Sequence, residues 1–271
     1  MLAANRAVAS ALDRAGRPTL HRVHLPPPPQ KLSALALLLE QLGLEPEGEL
    51  EDPRVLAGVL ERVKGTPSEE RIHMAALRSM SQARYALEPR GHHALQFEHY
   101  LHFTSPIRRY ADLEVHRALK RLLAGVSESK RLEAKHAERS ARLAIWLSGR
   151  ERLAVDAERD AAALACCALL SGREGESFGA RVTAASEFGL FVRLDSPAAS
   201  GLVPIRTMEG EWIHDPEAEV LRAPRSGARI GLGDAIEVRL MEVDSDRGRL
   251  AFTLVQEPQP EGLRPSRGGA S

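Results

Sequence analysis

Over the first 170 positions the apolar residues recur at steps of three and four, and past Gly175 the step falls to two. The pattern therefore predicts a helical part followed by a β part. Ala4, Val8, Ala11, Leu12 and Ala15 give a helix over 2–15 that stops at Gly16. It starts without a cap, a hint that something upstream is missing. Residues 19–25 read as an extended segment and Pro26 to Pro29 as a polyproline turn. Leu32, Leu35, Leu38, Leu39 and Leu42 give a helix over 30–42, closed by Gly43. Helices over 53–63 and 68–84 follow, with Thr66-Pro67-Ser68 turning between them and capping the second. Ser105 is a good N-cap and Pro106 a good first helical residue, because proline's missing N–H would be orphaned there anyway. A helix should begin at Pro106 and bury Ile107, Ala111, Val115, Ala118, Leu119 and Leu122. After Gly125 a long helix runs over 128–170, open to interruption at Ser148-Gly149. Its buried stripe is Leu143, Trp146, Leu147, Ala154, Ala157, Ala161, Leu164 and Ala168.

Beyond Ser171-Gly172, strands are expected over 178–183, 189–194, 200–204, 235–242 and 248–254, the last two joined by a turn at Asp244 to Gly248. Five strands with a long excursion before the fourth suit an OB barrel. The tail from Glu257, rich in Pro, Gly, Arg and Ser, reads as disordered.

Charge alters little globally. The 271 residues carry 37 basic and 37 acidic side chains, so affinity for a polyanion must come from local segregation of charge. No apolar run is long enough to span a bilayer and the start lacks the layout of a secretion signal, so no membrane partner is expected and a soluble, cytoplasmic chain is. Cys166 and Cys167 are sequence neighbours in a helical stretch, pointing apart. They offer neither a disulfide framework nor a zinc or redox motif and read as small core residues.

Locally the charge does segregate. Between Pro106 and Gly125 five cations face two acids, and Arg108 and Arg109 crowd a helix start that already carries partial positive charge. Free N–H groups and forked guanidinium donors there have the ingredients of a phosphate site. The plainer alternative is that Arg108 pairs with Asp112 and the rest is a solvated face. The acids between Glu45 and Asp52 are broken by turn formers and read as a solvated loop. His92, His93, His99 and His102 lack the Cys or carboxylate neighbours of a zinc site and fit a loop that packs on the helix or touches a nucleic-acid backbone. Phe97, Tyr100 and Phe103 fit core packing better than base stacking. Glu158 falls on or beside an apolar stripe, where a carboxylate needs a partner, an arginine being the simplest.

The words themselves add a resemblance. TSPIRRY at Thr104 to Tyr110, followed by Asp112, Leu113, His116 and Arg117, resembles the signature near the end of the RNB catalytic domain of the ribonuclease II and ribonuclease R family, closer to ribonuclease R. Arg22-Val23-His24 before the proline run, Leu77 to Met80 with Tyr85, Arg90-Gly91-His92 and Ala157 to Asp160 occur in the same order and rough spacing. Residues 173–256 resemble the S1 type of OB domain, through GARVTAASEFGLFVRLD, GLVPI and GDAIEVRLMEVDSDRGRLAFTL. The implied fold is α+β and multidomain: a mainly helical partial RNB domain over 1–172, a five-stranded OB-fold barrel over 173–256 and the tail over 257–271.

The implied activity is 3′→5′ exoribonuclease hydrolysis of single-stranded RNA to nucleoside 5′-monophosphates. Arg108 and Arg109 would hold the scissile or adjacent phosphate, supported by Ser105 and Tyr110, and Glu158 would position the 3′ end near Arg108. Arg22 and His24 would lie near the channel, although a surface salt bridge explains them equally well. Phe188, Phe191 and Arg193 would present stacking rings and a cation to single-stranded RNA. Pro204 stands where many relatives carry His, which would weaken binding by this domain or shift it toward Trp212, His214 and Arg206. The complete enzyme would use Mg2+ held by clustered aspartates, and no such ligands are found here: Asp13, Asp52, Asp112, Asp156 and Asp160 are isolated. The chain thus resembles the carboxyl-terminal half of the enzyme, inactive alone and partnered by single-stranded RNA and the missing amino-terminal half. The alternative is a non-catalytic RNA-binding module. Apolar surface exposed where that half would pack is a further expectation.

Overall fold

The computed structural model describes residues 1–66, 68–126, 129–216 and 218–255. Pro67, Glu128 and the tail expected to be disordered lie outside them. Two compact units are formed, one from 1–32, 47–57 and 79–156, the other from 33–46, 58–78 and 157 onward.

In the first unit, helix α1 (Leu2–Arg14) ends at Ala15, and Gly16 takes the left-handed φ of 61° that lets the chain reverse. Strand β1 (His21–Val23) pairs antiparallel with β2 (Arg84–Ala86), Arg22 lying opposite Tyr85. That pairing shortens the expected helix over 68–84 to α4 (Glu69–Ser79). Between the two strands the chain also forms α2 (Pro29–Gln41) and α3 (Pro53–Arg62), and the stretches 33–46 and 58–78, with most of α2, half of α3 and nearly all of α4, belong to the second unit. Helix α5 (Tyr110–Leu123) buries Val115 and Ala118 against Ala9, Leu12 and Leu101. A second apolar cluster joins Leu20, Tyr85 and Ala111 to Ala144 and Leu147 of α6 (Lys130–Leu170).

Helix α6 runs unbroken through Ser148-Gly149. Ser148 Oγ donates to the Ala144 carbonyl at 2.8 Å and accepts from the Tyr85 N–H at 3.0 Å, so a residue that favours helix ends is satisfied inside one. Only part of the expected stripe is covered. Leu147 is buried and Leu143 half-buried, whereas Trp146, Ala154, Ala157, Ala161, Leu164 and Ala168 are exposed, as is every residue from Arg152 to Ala162. Among the described residues no helix is long and apolar enough to cross a membrane.

In the second unit β3 (Ser177–Ser186), β4 (Gly189–Leu194), β5 (Ser200–Pro204), β9 (Ala235–Asp244) and β10 (Arg249–Leu254) close a barrel in the order β10-β5-β4-β3-β9. Only the β5–β10 contact is parallel. Val182, Leu190, Val192, Val203, Val238, Leu240 and Phe252 fill it, together with Cys167 and Leu170 from the last turns of α6. Gly201 is obligatory, since a Cβ there would meet the Phe252 ring and lie 2.5 Å from the Leu250 carbonyl. The excursion before β9 is not plain loop, for β6 (Ile213–Asp215), β7 (Val220–Arg222) and β8 (Arg229–Gly231) form a small antiparallel sheet. Three-residue strands are too short to show a period of two, which is why the sequence hid them.

Candidate nucleic-acid interface

The turn before α5 differs from expectation in an instructive way. The helix starts at Tyr110, not Pro106, and its N-cap is Arg109, in extended backbone with no side-chain cap. Ser105 does not cap. Its carbonyl accepts from the N–H groups of Arg108 at 3.3 Å and Arg109 at 3.1 Å, making a separate turn of Pro106-Ile107-Arg108.

The organiser is Asp112, whose side chain is 0% exposed. Its Oδ2 accepts from the Ser105 N–H at 2.7 Å, while Arg109 grips both oxygens, Nε at 2.9 Å and Nη2 at 3.0 Å. A buried carboxylate must be paired and hydrogen-bonded, and this one satisfies itself by pulling the preceding turn out of helical register. Ile107, expected in the core, is 101% exposed as a result. The expected pairing of Asp112 with Arg108 is corrected to Arg109.

Arg108 stands exposed, with no partner among the described residues. Tyr110 is also exposed, and its hydroxyl accepts from Arg117 at 3.3 Å. Arg109 is thus structural and Arg108 is the guanidinium left to solvent.

Beneath this turn lies a second fixed pair. Arg22 Nη1 meets Glu151 Oε2 at 2.5 Å, and the same guanidinium sits 4.9 Å above the Tyr85 ring. The salt-bridge explanation of Arg22 is therefore the observed one. Tyr85 Oη and His102 Nδ1 share a hydrogen bond at 3.0 Å. Burial, then the charges of Arg109 and Arg22, lower the His102 pKa to about 4. Burial lowers those of His21 and His92 to about 4 as well, and lowers His24. His24 stacks on His92 at 5.1 Å and on His93 at 6.2 Å, and its N–H bonds the Gly91 carbonyl. The His21, His92 and His102 rings are therefore neutral at neutral pH.

Tyr100 is buried, its hydroxyl accepting from Asn5 at 3.1 Å, and Phe103 stacks on His116 at 4.2 Å. Both are core, as expected. Asn5, Ser148 and Glu151 hold the site together yet carried no signal in the sequence, because their partners lie 95, 63 and 129 residues away.

The expected placement of Glu158 on or beside a buried stripe, paired with an arginine, is corrected: it is an exposed carboxylate on a stretch of α6 that is itself exposed. Among the described residues no group of three or more His, Cys, Asp or Glu is placed to hold a metal ion. The residues present therefore do not fit the Mg2+ that the family resemblance implies for a complete enzyme.

On the barrel, β4 alternates as its register demands. Leu190, Val192 and Leu194 point in, and Phe191 and Arg193 point out, with Phe188 exposed in the preceding turn. Arg206 is exposed just after β5, but Trp212 is core, its Nε1 donating to the Glu209 carbonyl at 2.9 Å. His214 is half-buried on β6 of the small three-stranded sheet. Phe191 and Arg193 thus share the outward face of β4, whereas Trp212 is buried in the core.

The RNB domain family model matches residues 1–125 and the S1 RNA binding domain model residues 172–254. Ribonuclease R of Aquifex aeolicus is 38% identical over 259 residues, covering 95% of this chain, and that of Escherichia coli is 36% identical over 263, covering 94%. The chain belongs to the ribonuclease R family. It spans 36% and 32% of the length of those two relatives. The structure of Mycoplasma genitalium RNase R in its apo form superposes with a TM-score of 0.88 at 30% identity, covering 94% of this chain and 40% of that one. The same enzyme in complex with ribose-methylated single-stranded RNA gives 0.87. The fold, a partial RNB domain followed by a closed five-stranded barrel, is that of this family.

Proposed function

We propose that this chain is the RNA-holding, carboxyl-terminal part of a 3′→5′ exoribonuclease that hydrolyses single-stranded RNA processively to nucleoside 5′-monophosphates in the cytoplasm. The observation that carries the reading is the division of labour between the two arginines. Arg109 is spent on Asp112, which fixes the turn, and Arg108 is held out beside Tyr110 with its charge unneutralised. A guanidinium presented from a rigid turn binds a phosphate at little ordering cost. The barrel supplies the second contact, with Phe188 and Phe191 offering rings to bases and Arg193 a cation to the backbone. Relatives of nearly three times the length supply the ground for a further partner, the amino-terminal RNB part bearing the aspartates that would hold Mg2+. This chain's own share is to grip, orient and hold the 3′ end, with Glu158 in reach of solvent for that role.

The test uses the chain alone and with the preceding RNB part added. Alone it should bind a single-stranded oligoribonucleotide with affinity falling steeply as salt rises, and release no nucleoside monophosphate with Mg2+. With the added part, Arg108→Ala should cost far more in turnover than in affinity, because a phosphate contact at the reacting centre is realised mainly in the transition state. Equal losses would reject the catalytic role of Arg108. Binding without any restored turnover would favour a metal-free RNA-binding module.

A further inference from the structure

Strand β3 places a second arginine directly across from Arg193. In the β3–β4 register Arg181 pairs with Arg193, and both side chains lie on the outward face while Val182 and Val192 behind them are buried. Like charges in directly opposed cross-strand positions repel, so such a pair needs an anion. One is supplied from outside the barrel: Glu70, in the first turn of α4, meets Arg181 Nε at 2.6 Å with its Oε2. Helix α4 is held there independently of that contact. A Cβ on Gly233 would clash with Arg71, showing how closely the backbone approaches, and Arg78 pairs with Glu219 at 3.2 Å. Arg193 has no ion-pair partner among the described residues. One step along the strands the outward row turns acidic, with Asp195 and Glu237 flanking Gly179. The cationic pair is therefore bounded on that side and opens toward Phe191, whose carbonyl accepts from Thr183.

Building on the reading that the barrel face binds single-stranded RNA, we propose that Arg181 and Arg193 together bind one backbone phosphate beyond Phe191, and that Glu70 is the internal anion this phosphate displaces. In the free protein Arg193 has no ion-pair partner among the described residues, and Arg181 is neutralised by the Glu70 carboxylate. A phosphate, with more acceptor oxygens and access to both forks, replaces it. Glu70 then sets affinity, acting as a built-in competitor on a helix that remains anchored by its other contacts.

The experiment measures binding of a labelled single-stranded oligoribonucleotide by fluorescence anisotropy, across salt concentrations, for the full chain and its variants. Glu70→Gln should tighten binding about three- to fivefold, the range of a partly exposed ion pair. It should steepen the slope of log affinity against log salt by about 0.7, one further phosphate contact on a single strand. Arg181→Gln should weaken binding, and in that background Glu70→Gln should have no effect. A Glu70→Gln chain with unchanged affinity and slope overturns the proposal, as does a gain that persists without Arg181. Thermal unfolding separates the purely structural role: if Glu70→Gln lowers the melting temperature and leaves affinity unmoved, the pair only fastens α4. Should the unaltered chain show no salt-dependent binding at all, the barrel reading fails first and the proposal with it.

Discussion

Asp112→Asn removes the charge that holds Arg109 while keeping the side chain's volume. In the native turn the carboxylate takes three hydrogen bonds, from Ser105 N–H and two guanidinium nitrogens, and has no exposed surface. Breaking one partner of a buried pair costs about 3–5 kcal/mol, since the other charge stays behind uncompensated. Arg109 retains 21% of its side-chain exposure, so some of its charge can be rehydrated and the lower end, about 3 kcal/mol, is expected. For a chain of this size that is a fall in melting temperature of roughly 6–12 °C, at about 2–4 °C per kcal/mol. Arg108→Ala is the matched control, because an exposed side chain without a partner stays within about 0.5 kcal/mol. Urea unfolding followed by circular dichroism, at one pH and protein concentration, reads both. A loss below about 1 kcal/mol for Asp112→Asn, or an equal loss for Arg108→Ala, would refute the assignment of one arginine to structure and its neighbour to solvent.

Two other perturbations test the packing around the sites. Burial holds the His21 pKa at about 4 against an ordinary 6.5, so between those values the unfolded chain binds a proton that the folded chain does not. Stability is complete above 6.5 and falls as pH drops toward 4, by roughly 3 kcal/mol from His21 alone, with His92 and His102 acting in the same direction. The urea midpoint should be clearly lower at pH 5 than at pH 7, and a midpoint that holds or rises on acidification would contradict the burial. Gly201→Ala drives a methyl into the Phe252 ring and the Leu250 carbonyl and should cost about 3 kcal/mol or more. Near-ultraviolet circular dichroism and thermal unfolding would show it, and a stable, native-like variant would mean that β5 and β10 are not as close as placed.

What could be read in advance follows from the range of the forces involved. The five barrel strands are legible because alternation is a local signal, and Leu190 to Leu194 alternates with no knowledge of what lies beneath it. Helix α5 and its buried Ala111, Val115 and Ala118 are legible for the same reason. The start of α5 is not. Ser105-Pro106 is a strong local cap signal, and it loses to a buried carboxylate seven residues on that needs the Ser105 N–H and the Arg109 fork at once. Local propensity at a helix end is worth about 1 kcal/mol and a stranded buried charge several times that, so the outcome is decided by the term that spacing cannot display. Helix α6 fails in the opposite sense. Its apolar period is real, yet Trp146, Ala157 and Leu164 are exposed, because periodicity reports which face a helix offers and not whether anything covers it. The same gap separates Arg108 from Arg109. Composition and spacing make them equivalent, and only the position of Asp112 relative to the turn decides which cation is neutralised and which is left to solvent.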